Sequence, residues 1–512
     1  MNYMHYPSVS KWFFCILVIF LPVVAISQGG FTWSKDGNSY YRTENGEILQ
    51  YKLPGNTSTV LASKTQLKGM PVRSFRFSDD EQKLLVFTNT QKVWRLHTRG
   101  DYWVFDIKTG NLQQVGKSRP ASSLMFAKFS PDGSKVAYVS EYNLYVEDLA
   151  SGDMKQLTQD GNRKFINGTF DWVYEEEFFC RDGFRWSPNS KQIAFWQIDG
   201  RHTKDYLMVN NTDSMYPFAQ PVEYPIAGEP PSPFKIGVVD INTAQTKWMN
   251  IPTDTVWRSY LPRMEWAGNS HELIVQHLNR KQNQSDLLLC NVQTGESKRI
   301  YSETDSAWID ILPLWDNDYI WGGWDWLNNG KEFVWASEKD GWRHLYRISR
   351  DGKKEQRITN GNYDVMDIAC IDEKGGYVYF MASPQNATQR YLYRTRLDGK
   401  GKEERLSPPN QPGTHDYDVS PNAKYASHIF SNHYTEYTGE MISLPDHRGL
   451  NGENKVNEAL AKADKNSGIE FFKVKTEEGV EMDGWMVKPY NFDSTQKYPV
   501  VFYVYTEPWG QN

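Results

Sequence analysis

The residues best suited to chemistry in this chain are three consecutive glutamates, Glu175, Glu176 and Glu177. They lie in the stretch DWVYEEEFF, residues 171–179, between two aromatic pairs. Adjacent carboxylates repel one another, so keeping them ionised beside apolar side chains is unfavourable until a cation binds. The stretch therefore predicts a cation-binding site, whereas a run of glutamates without aromatic neighbours would indicate ordinary solvated surface.

Other catalytic and metal-binding patterns are missing from the sequence. The stretch GNSHE, residues 268–272, lacks the last glycine of a Gly-x-Ser-x-Gly elbow, and it lacks the second histidine of a zinc-binding helix. Cys180, Cys290 and Cys370 are widely spaced, which indicates isolated thiols and at most one disulfide. We therefore expect no metal and no cofactor.

The composition is that of a folded protein rich in β-structure. The chain has 512 residues, of which 39% are hydrophobic and 14% aromatic, and aromatic rings pack well on pleated surfaces. Its formal net charge of −6 comes from interspersed charges, with no basic block and no basic-aromatic stripe. Nucleic acid is therefore not an expected partner.

An internal repeat organises most of the chain. An apolar or aromatic residue, a Ser-Pro-Asp-Gly-like turn and a β-patterned run recur eight times. The copies are FTWSKDGNSYY, FRFSDDEQKLLVF, AKFSPDGSKVAYV, FRWSPNSKQIAFW, MEWAGNSHELIV, WDWLNNGKEFVW, ACIDEKGGYVYF and YDVSPNAKYAS, and they begin at Phe31, Phe75, Ala127, Phe184, Met264, Trp324, Ala369 and Tyr417.

Many copies are followed by a further β-patterned run and a second turn, which makes about four strands per unit. Units of this kind at this spacing predict an all-β fold, an eight-bladed β-propeller over residues 28–445. The longest interval, between the fourth and fifth copies, holds a segment rich in Pro and Asn. We expect this segment to form a long loop at one rim.

The character of the chain changes after residue 445. Residues 446–468 are polar and predict a linker that contains a short helix in VNEALAKA. Residues 469–512 predict two strands joined at TEEGV and then a buried strand in YPVVFYVY, which belongs inside a sheet covered on both faces. We expect this last part to be the truncated start of a second domain.

The N-terminus predicts export. Lys11 precedes the apolar run WFFCILVIFLPVVAIS, and Ala25 and Ser27 give a small-x-small cleavage pattern. We expect residues 1–27 to be a signal peptide and the mature protein to be periplasmic, cell-surface or extracellular. A retained membrane anchor is the alternative, although the apolar run is short for a span.

Several stretches together resemble the dipeptidyl peptidase IV branch of the prolyl oligopeptidase-type serine peptidases, over essentially the whole mature length. They are VWRLHTRGDYWVFDI, DWVYEEEFF followed by RWSPNSKQIAFWQID, YPIAGEPPSPFKIGVVD, EKDGWRHLY and YPVVFYVYTEPWGQ. The resemblance implies an eight-bladed propeller above an α/β-hydrolase domain, with peptide cleavage in the cavity between them. It identifies residues 469–512 as the truncated start of that α/β-hydrolase domain.

The resemblance also implies a substrate-binding site. The second and third glutamates of the family motif bind the free α-ammonium group of the substrate, which here points to Glu176 and Glu177. Arg95, in VWRLH, matches the family arginine that hydrogen-bonds a substrate carbonyl and helps order the glutamates, tasks that suit the fixed fork of a guanidinium. An ordinary arginine on a propeller rim is the alternative interpretation.

Tyr505, in FYVYTEP, matches the family tyrosine that donates to the developing oxyanion. The sequence departs from the family pattern here, because Thr506 and Glu507 stand where small residues usually follow, and a core tyrosine is the alternative. The Ser, Asp and His of the family's catalytic triad would all lie beyond Asn512. We therefore expect this chain by itself not to hydrolyse peptides.

Three functions stay open at this point. The first is the N-terminal substrate-recognition part of a secreted serine exopeptidase that releases short N-terminal peptides after Pro or Ala. The second is a peptide-binding propeller without catalysis, and the third is a scaffolding propeller. The expected partners are peptides with a free N-terminus and, through the missing domain, a second copy of the protein. Dipeptidyl and tripeptidyl specificity stay open.

Overall fold

A computed structural model describes residues 31–252, 259–311, 324–465 and 468–504. The predicted signal peptide and the predicted oxyanion donor Tyr505 lie outside the described residues. Almost all regular structure in the described part is β-strand, as the sequence predicts. No helix in these four ranges is both long enough and apolar enough to cross a bilayer.

The strands before the inserted segment follow the repeats in order. They are β1 (Phe31–Trp33), β2 (Ser39–Glu44), β3 (Glu47–Lys52), β4 (Thr57–Ala62), β5 (Ser74–Phe77), β6 (Lys83–Val93), β7 (Leu96–Asp106), β8 (Leu112–Val115), β9 (Leu124–Phe129), β10 (Lys135–Ser140), β11 (Asn143–Asp148), β12 (Met154–Gln156), β13 (Phe165–Asn167), β14 (Phe184–Trp186) and β15 (Gln192–Asp199). Helix α1 (Trp172–Phe178) lies between β13 and β14.

The remaining elements run to the end of the described chain. They are β16 (Asp205–Asn210), β17 (Phe218–Glu223), β18 (Phe234–Asp240), β19 (Thr246–Trp248), β20 (Tyr260–Trp266), β21 (Glu272–Leu278), β22 (Gln284–Asn291), β23 (Ser297–Thr304), β24 (Asp325–Leu327), β25 (Glu332–Ser337), β26 (His344–Ser349), β27 (Glu355–Arg357), β28 (Val365–Asp372), β29 (Tyr377–Ala382), β30 (Tyr391–Arg396), β31 (Glu404–Arg405), β32 (Thr414–Val419), β33 (Tyr425–Asn432), β34 (Thr435–Ser443), β35 (Arg448–Gly449), β36 (Ile469–Lys475) and β37 (Glu481–Val487). Helix α2 (Lys455–Lys462) lies between β35 and β36.

The strands assemble into antiparallel groups of four neighbours. Strands β1–β4, β20–β23, β24–β27, β28–β31 and β32–β35 each form a four-stranded sheet in chain order. Two further groups, β5–β8 and β9–β12, join into one eight-stranded sheet through pairing of β7 with β9. The remaining group is β14-β15-β18-β19. Strands β13 and β14 both pair with β15, each with a different part of it.

Each predicted repeat turn joins the first two strands of one group, and its side chains explain why the turn is tight. In the third copy, the Ser130 hydroxyl donates to the Asp132 carboxylate at 2.6 Å and accepts from the Lys135 backbone N–H at 3.0 Å. The same pair of bonds recurs at Ser34, Ser78, Ser187 and Ser420. A Ser with Asp or Asn two residues later is therefore the sequence signal for the turn.

Turns of successive groups contact one another, and the last returns to the first. Asn189 N donates to Ser270 Oγ at 3.0 Å between neighbouring groups. Asn422 Nδ2, in the last group, donates to the Asp36 carbonyl in the first at 2.8 Å. Buried apolar clusters lie between neighbouring groups, so each sheet shares its core with the next.

Two expectations for irregular segments are wrong. The inserted segment is not a long loop, because β16 and β17 pair over residues 205–223 as a two-stranded hairpin. The run YPVVFYVY is not a buried strand over its described part, since Val501 is 93% exposed and no residue from 499 to 504 is in a strand. A strand is buried only when other elements cover it, and in the described chain β36 and β37 pair only with each other. Helix α2 lies within the predicted linker and begins one residue before the predicted helical run VNEALAKA.

Candidate functional site

Helix α1 carries the three glutamates and is closed at both ends. The Asp171 carboxylate accepts a hydrogen bond from Tyr174 N at 3.2 Å, which caps the first turn. Phe179 ends the helix in the left-handed region, with φ 55°. Seven residues are too few for a helix that is stable alone, so tertiary contacts must hold it.

The helix is the tip of a segment, residues 168–183. The two ends of this segment meet at the same residue of β15, Trp196. Gly168 N donates to Trp196 O at 2.9 Å, and Trp196 N donates to Gly183 O at 3.1 Å. A side chain at Gly183 would bring its Cβ within 2.6 Å of the Gly168 carbonyl carbon, so only glycine allows this close approach. We call residues 168–183 the α1 segment.

Aromatic side chains anchor one face of the helix in the core. Tyr174 and Phe178 are fully buried, and the Tyr174 hydroxyl accepts from Leu261 N at 3.1 Å. Burial raises the pKa of Tyr174 well above its ordinary value, so the hydroxyl stays neutral. These two rings pack on the core side of the helix, whereas Glu177 is exposed, so they do not enclose its carboxylate.

A buried arginine supports the C-terminal end of the helix. Arg263 is only 3% exposed, and its Nη1 donates to Phe178 O at 3.0 Å and to Cys180 Sγ at 3.4 Å. A cation at this end complements the negative end of the helix dipole. Burial raises the pKa of the Cys180 thiol, which makes it a structural group. No pattern in the sequence indicates the role of Arg263.

The three glutamates have three different environments. Glu175 Oε1 lies 3.5 Å from Arg181 Nε, and both side chains are 12% exposed. Glu176 Oε1 accepts from Arg95 Nη2 at 2.5 Å, and this pair is much more exposed, at 31% and 77%. Glu177 is exposed. The first glutamate therefore belongs to the fold, whereas the second and third face solvent.

Arg95 reaches Glu176 from a long hairpin 81 residues earlier in the chain. Strands β6 and β7 have 11 residues each, and Trp94 and Arg95 form the two-residue turn between the paired residues Val93 and Leu96. Trp94 adopts a positive φ of 55°, as a tight hairpin turn requires. The extra length of this hairpin is what brings the guanidinium to α1.

The site lies at the strand ends opposite to the repeat turns. The β6–β7 turn joins the second and third strands of a group, and the α1 segment precedes the first strand of another, so both lie at the other end. The turn between β33 and β34 also lies there, and the His433 ring is 5.2 Å from the ring of Phe471 in β36. The glutamates therefore share a face with the segment that begins at residue 469.

A cavity of about 1040 Å³ lies beside the site. Its lining includes residues from the first strands of four groups, β1, β5, β9 and β32, together with Arg181, Asp182, Leu96 and His97. Arg181 thus contacts Glu175 and also borders the cavity. The space is large enough to admit a peptide.

Buried charges fix the return of the α1 segment to the sheet. Lys128 Nζ forms an ion pair with Asp182 and donates to Phe184 O at 2.7 Å, and Arg185 forms an ion pair with Glu265. Burial lowers the pKa of Lys128 to about 7, although Asp182 opposes this shift. The charges therefore compensate one another inside the fold and are not free to bind ligand.

The inserted hairpin contacts the exposed side of the helix. The Trp172 ring lies 4.4 Å from the ring of Tyr224, which in turn lies 5.7 Å from Tyr206 in β16. Sequence analysis missed this contact, because the only signal was a set of aromatic residues in a segment rich in turn formers. The base of the hairpin therefore packs against the first turn of α1.

No metal centre is visible in the described ranges. There, no three His, Cys, Asp or Glu side chains are grouped so that they could hold a metal ion. The three described cysteines are free thiols. The site is therefore built from carboxylates, guanidinium groups and aromatic rings.

Comparisons with known proteins agree on one family. A family model described as the dipeptidyl peptidase IV N-terminal region matches residues 78–437. The dipeptidyl-aminopeptidase B of Aspergillus niger is 26% identical over 512 residues, which cover 93% of this chain and 55% of that protein. The probable dipeptidyl-aminopeptidase B of Coccidioides posadasii is 25% identical over 472 residues, 85% of this chain and 49% of that protein. The chain spans about half the length of these curated relatives.

Solved structures show the same likeness. The crystal structure of Porphyromonas gingivalis dipeptidyl peptidase 4 has a TM-score of 0.81 and 27% identity, and covers 92% of this chain and 66% of that one. A putative dipeptidyl aminopeptidase IV from Bacteroides ovatus has a TM-score of 0.70 at 20% identity, with the same coverage, which supports the fold alone.

Proposed function

Because this chain belongs to the dipeptidyl peptidase IV family, we propose that it is the substrate-recognition part of a serine exopeptidase that removes dipeptides from peptide N-termini. In this proposal Glu176 and Glu177 bind the α-ammonium group of the substrate, and Arg95 orders Glu176 and donates to a substrate carbonyl. The observation that carries the proposal is the 2.5 Å contact between Arg95 and Glu176, formed at an exposed helix tip beside a peptide-sized cavity.

The charge arrangement supports recognition of a free N-terminus. Arg95 compensates Glu176, whereas the exposed Glu177 contributes a negative charge that an ammonium group can pair with. A ligand without that cation loses this ion pair, and because Glu177 is exposed the loss weakens binding by about fivefold, or ~1 kcal/mol. The glutamates would thus measure a fixed distance from the amino end of the substrate to the bond that is cleaved.

We also propose that the described groups of four strands are the eight blades of a closed β-propeller. The eight repeat turns, the contacts between successive turns and the return contact from Asn422 to Asp36 support this arrangement. The segment from residue 469 would be the first part of an α/β-hydrolase domain, and its exposed apolar side chains, such as Phe471 and Trp485, suit a surface that other elements cover.

A binding measurement tests the recognition site. Calorimetry with a free-amino dipeptide such as Ala-Pro should show binding to the chain, and N-acetylation of the peptide should weaken it about fivefold. The double variant Glu176→Gln, Glu177→Gln should lose binding as well. The matched control is Glu477→Gln, Glu478→Gln, which neutralises another exposed glutamate pair, in the β36–β37 turn.

The outcomes separate the functions. Equal affinity of the Glu176→Gln, Glu177→Gln variant and the control would exclude the recognition site and leave a scaffolding role. Binding without peptide release by the protein from its native source would favour a peptide-binding protein without catalysis. Release of dipeptides by the native protein is the expected result.

Export is a separate proposal that depends on residues 1–27. Removal of a signal peptide would make Gln28 the first residue of the mature protein. N-terminal sequencing of protein from its native source tests this, and a mature chain that still begins at Met1 would exclude cleavage.

A further inference from the structure

Two histidines and a glutamate form a buried hydrogen-bonded chain across the last sheet. His415 in β32 and His428 in β33 are fully buried, and Glu440 in β34 is 7% exposed. His415 Nε2 lies 2.9 Å from Gln411 O, His415 Nδ1 lies 2.9 Å from His428 Nε2, and His428 Nδ1 lies 3.1 Å from Glu440 Oε1. Three contacts link these residues in line, and each needs one hydrogen; the Tyr417 hydroxyl also lies 3.2 Å from His415 Nδ1.

The donors and acceptors can be counted. The Gln411 carbonyl only accepts, so His415 Nε2 carries a proton, and one of the two facing imidazole nitrogens carries a second. The contact between His428 and Glu440 then requires a third proton. Two neutral imidazoles and an ionised carboxylate supply only two protons. The hydrogen-bonded series His415–His428–Glu440 must therefore hold one more.

Burial decides where the additional proton lies. Desolvation lowers the pKa of His415 and of His428 to about 3, so neither imidazole is a cation at neutral pH. Desolvation raises the pKa of Glu440. A neutral, protonated Glu440 that donates to His428 Nδ1 satisfies all three contacts without a buried charge.

The residues at the two ends of this hydrogen-bonded series, Gln411 and Glu440, both contact helix α2. Glu440 Oε2 accepts from Val456 N at 3.5 Å in the first turn, and Gln411 Nε2 donates to Asn457 Oδ1 at 3.1 Å. The N-cap residue Asn454 makes no side-chain cap of its own. Glu440 therefore caps α2 from another element, and Val456 is fully buried against the sheet.

We infer that Glu440 and His428 share one buried proton that keeps α2 attached to the last sheet, and that alkaline pH releases α2 by removing it. Without that proton, lone pairs of Glu440 and His428 would face each other at 3.1 Å, which is repulsive. Because α2 leads to the segment that begins at residue 469, the attachment of that segment would depend on pH. The other titratable or charged groups around the cluster are Tyr417, His447, Asp446, Asp416, Arg405 and Lys455.

The variant Glu440→Gln tests the assignment, because an amide reproduces the protonated carboxyl: its N–H donates to His428 and its oxygen accepts from Val456. We expect the Tm of this variant to equal that of the parent at pH 6 and to exceed it at pH 9. The control Glu436→Gln, on an exposed residue of the same strand, should follow the parent at both pH values.

Infrared spectroscopy reads the proton directly. The parent at pH 7 should show a protonated-carboxyl band that Glu440→Gln lacks and Glu436→Gln retains. A lower Tm of Glu440→Gln at pH 6, with no band lost, would show that Glu440 is ionised and would overturn the inference.

Limited proteolysis tests the attachment of α2 in the full chain. The rate of tryptic cleavage after Lys455 and Lys462, divided by the rate at the exposed Lys402, should rise between pH 7 and pH 9 in the parent. It should stay constant in Glu440→Gln. An equal rise in both proteins would show that the proton does not hold the helix.

Discussion

The indole N–H of Trp33 donates a 2.7 Å hydrogen bond to Asp418, 385 residues later in the chain. The two residues lie in the first strands of the first and last groups, β1 and β32. Burial raises the pKa of Asp418 to about 7, because the Trp33 donor only partly offsets desolvation. The contact between the first and last groups of strands therefore includes a carboxyl group whose ionised form is disfavoured by burial.

Asparagine at position 418 should make stability less dependent on pH. The folded-state pKa of Asp418 lies above its ordinary value of 3.8, so its contribution is complete below pH 4 and is lost as pH rises through about 7. Asp418→Asn keeps an acceptor for Trp33 and cannot ionise. Its urea midpoint at pH 8.5 should exceed that of the parent, by on the order of 1 kcal/mol in unfolding free energy. The exposed control Asp79→Asn should show no such gain.

Lysine at position 95 should weaken peptide binding without unfolding the protein. Arg95→Lys keeps the charge but loses the fork that allows simultaneous contact with Glu176 and a substrate carbonyl. We expect affinity for a free-amino dipeptide to fall about tenfold, which is about 1.4 kcal/mol. The Tm should not change, because the Arg95 side chain is 77% exposed. Arg448→Lys, at a similarly exposed ion pair, is the control, and a loss of the same size there would contradict the role of Arg95.

Phenylalanine at position 174 should destabilise the protein. Tyr174→Phe removes the acceptor for Leu261 N and leaves that N–H unsatisfied in the core. An unsatisfied buried donor reduces stability by about 1–3 kcal/mol. Urea unfolding measures the loss, and Tyr437→Phe, at a residue that is 76% exposed, should be neutral. Equal midpoints for both variants would show that the hydroxyl does not anchor α1.

Acid should destabilise the last sheet. The pKa values of His415 and His428 fall to about 3 and that of His447 to about 4, against 6.5 in the unfolded chain, so the unfolded state binds more protons at acidic pH. Their effect is absent above pH 6.5, and stability declines as pH falls below it, by about 1.4 kcal/mol per pH unit for each histidine.

The variant His447→Gln should reduce the slope of stability against pH between pH 6 and pH 4.5, measured by urea unfolding. The matched variant His202→Gln, at an exposed histidine, should leave the slope unchanged. Equal slopes in both variants would show that the His447 imidazole is not responsible.

Shortening the inserted hairpin should leave the rest of the fold intact. Strands β16 and β17 pair only with each other in the described chain. The deletion of residues 207–221, closed by a Gly-Gly link, retains Asp205 and Glu223, which form ion pairs with Arg163. The urea midpoint should stay within error of the parent. A large fall in the midpoint would show that the hairpin stabilises the sheets.

The repeat units could be predicted from the sequence because their signal is local. Five of the eight turns depend on a Ser and on an Asp or Asn two residues later, so residues that are close in the sequence carry the signal. Burial of YPVVFYVY could not be predicted in the same way, because burial depends on what covers a strand. Helix α1 was also missed, since a helix of seven residues owes its stability to distant contacts such as that between Tyr174 and Leu261.

The candidate site was predictable only in part. The glutamates stood out by type and spacing, but Arg95 was identified through family resemblance, because no spacing rule relates residues 81 positions apart. Arg181 and Arg263, which support Glu175 and the helix end, had no signal in the sequence. Their roles depend on three-dimensional proximity alone.

The base of the α1 segment has an evolutionary consequence. The backbone N–H and C=O of Trp196 bond to Gly183 and Gly168, the two residues that flank residues 169–182. The pairing along β15 is therefore continuous across the base of the segment. Exchange of the exposed residues of the segment, such as Glu177 and Phe179, would leave these two backbone bonds in place, whereas Tyr174 and Phe178 are tied to the core. Selection could therefore change the exposed tip of this segment independently of the strand pairing beneath it.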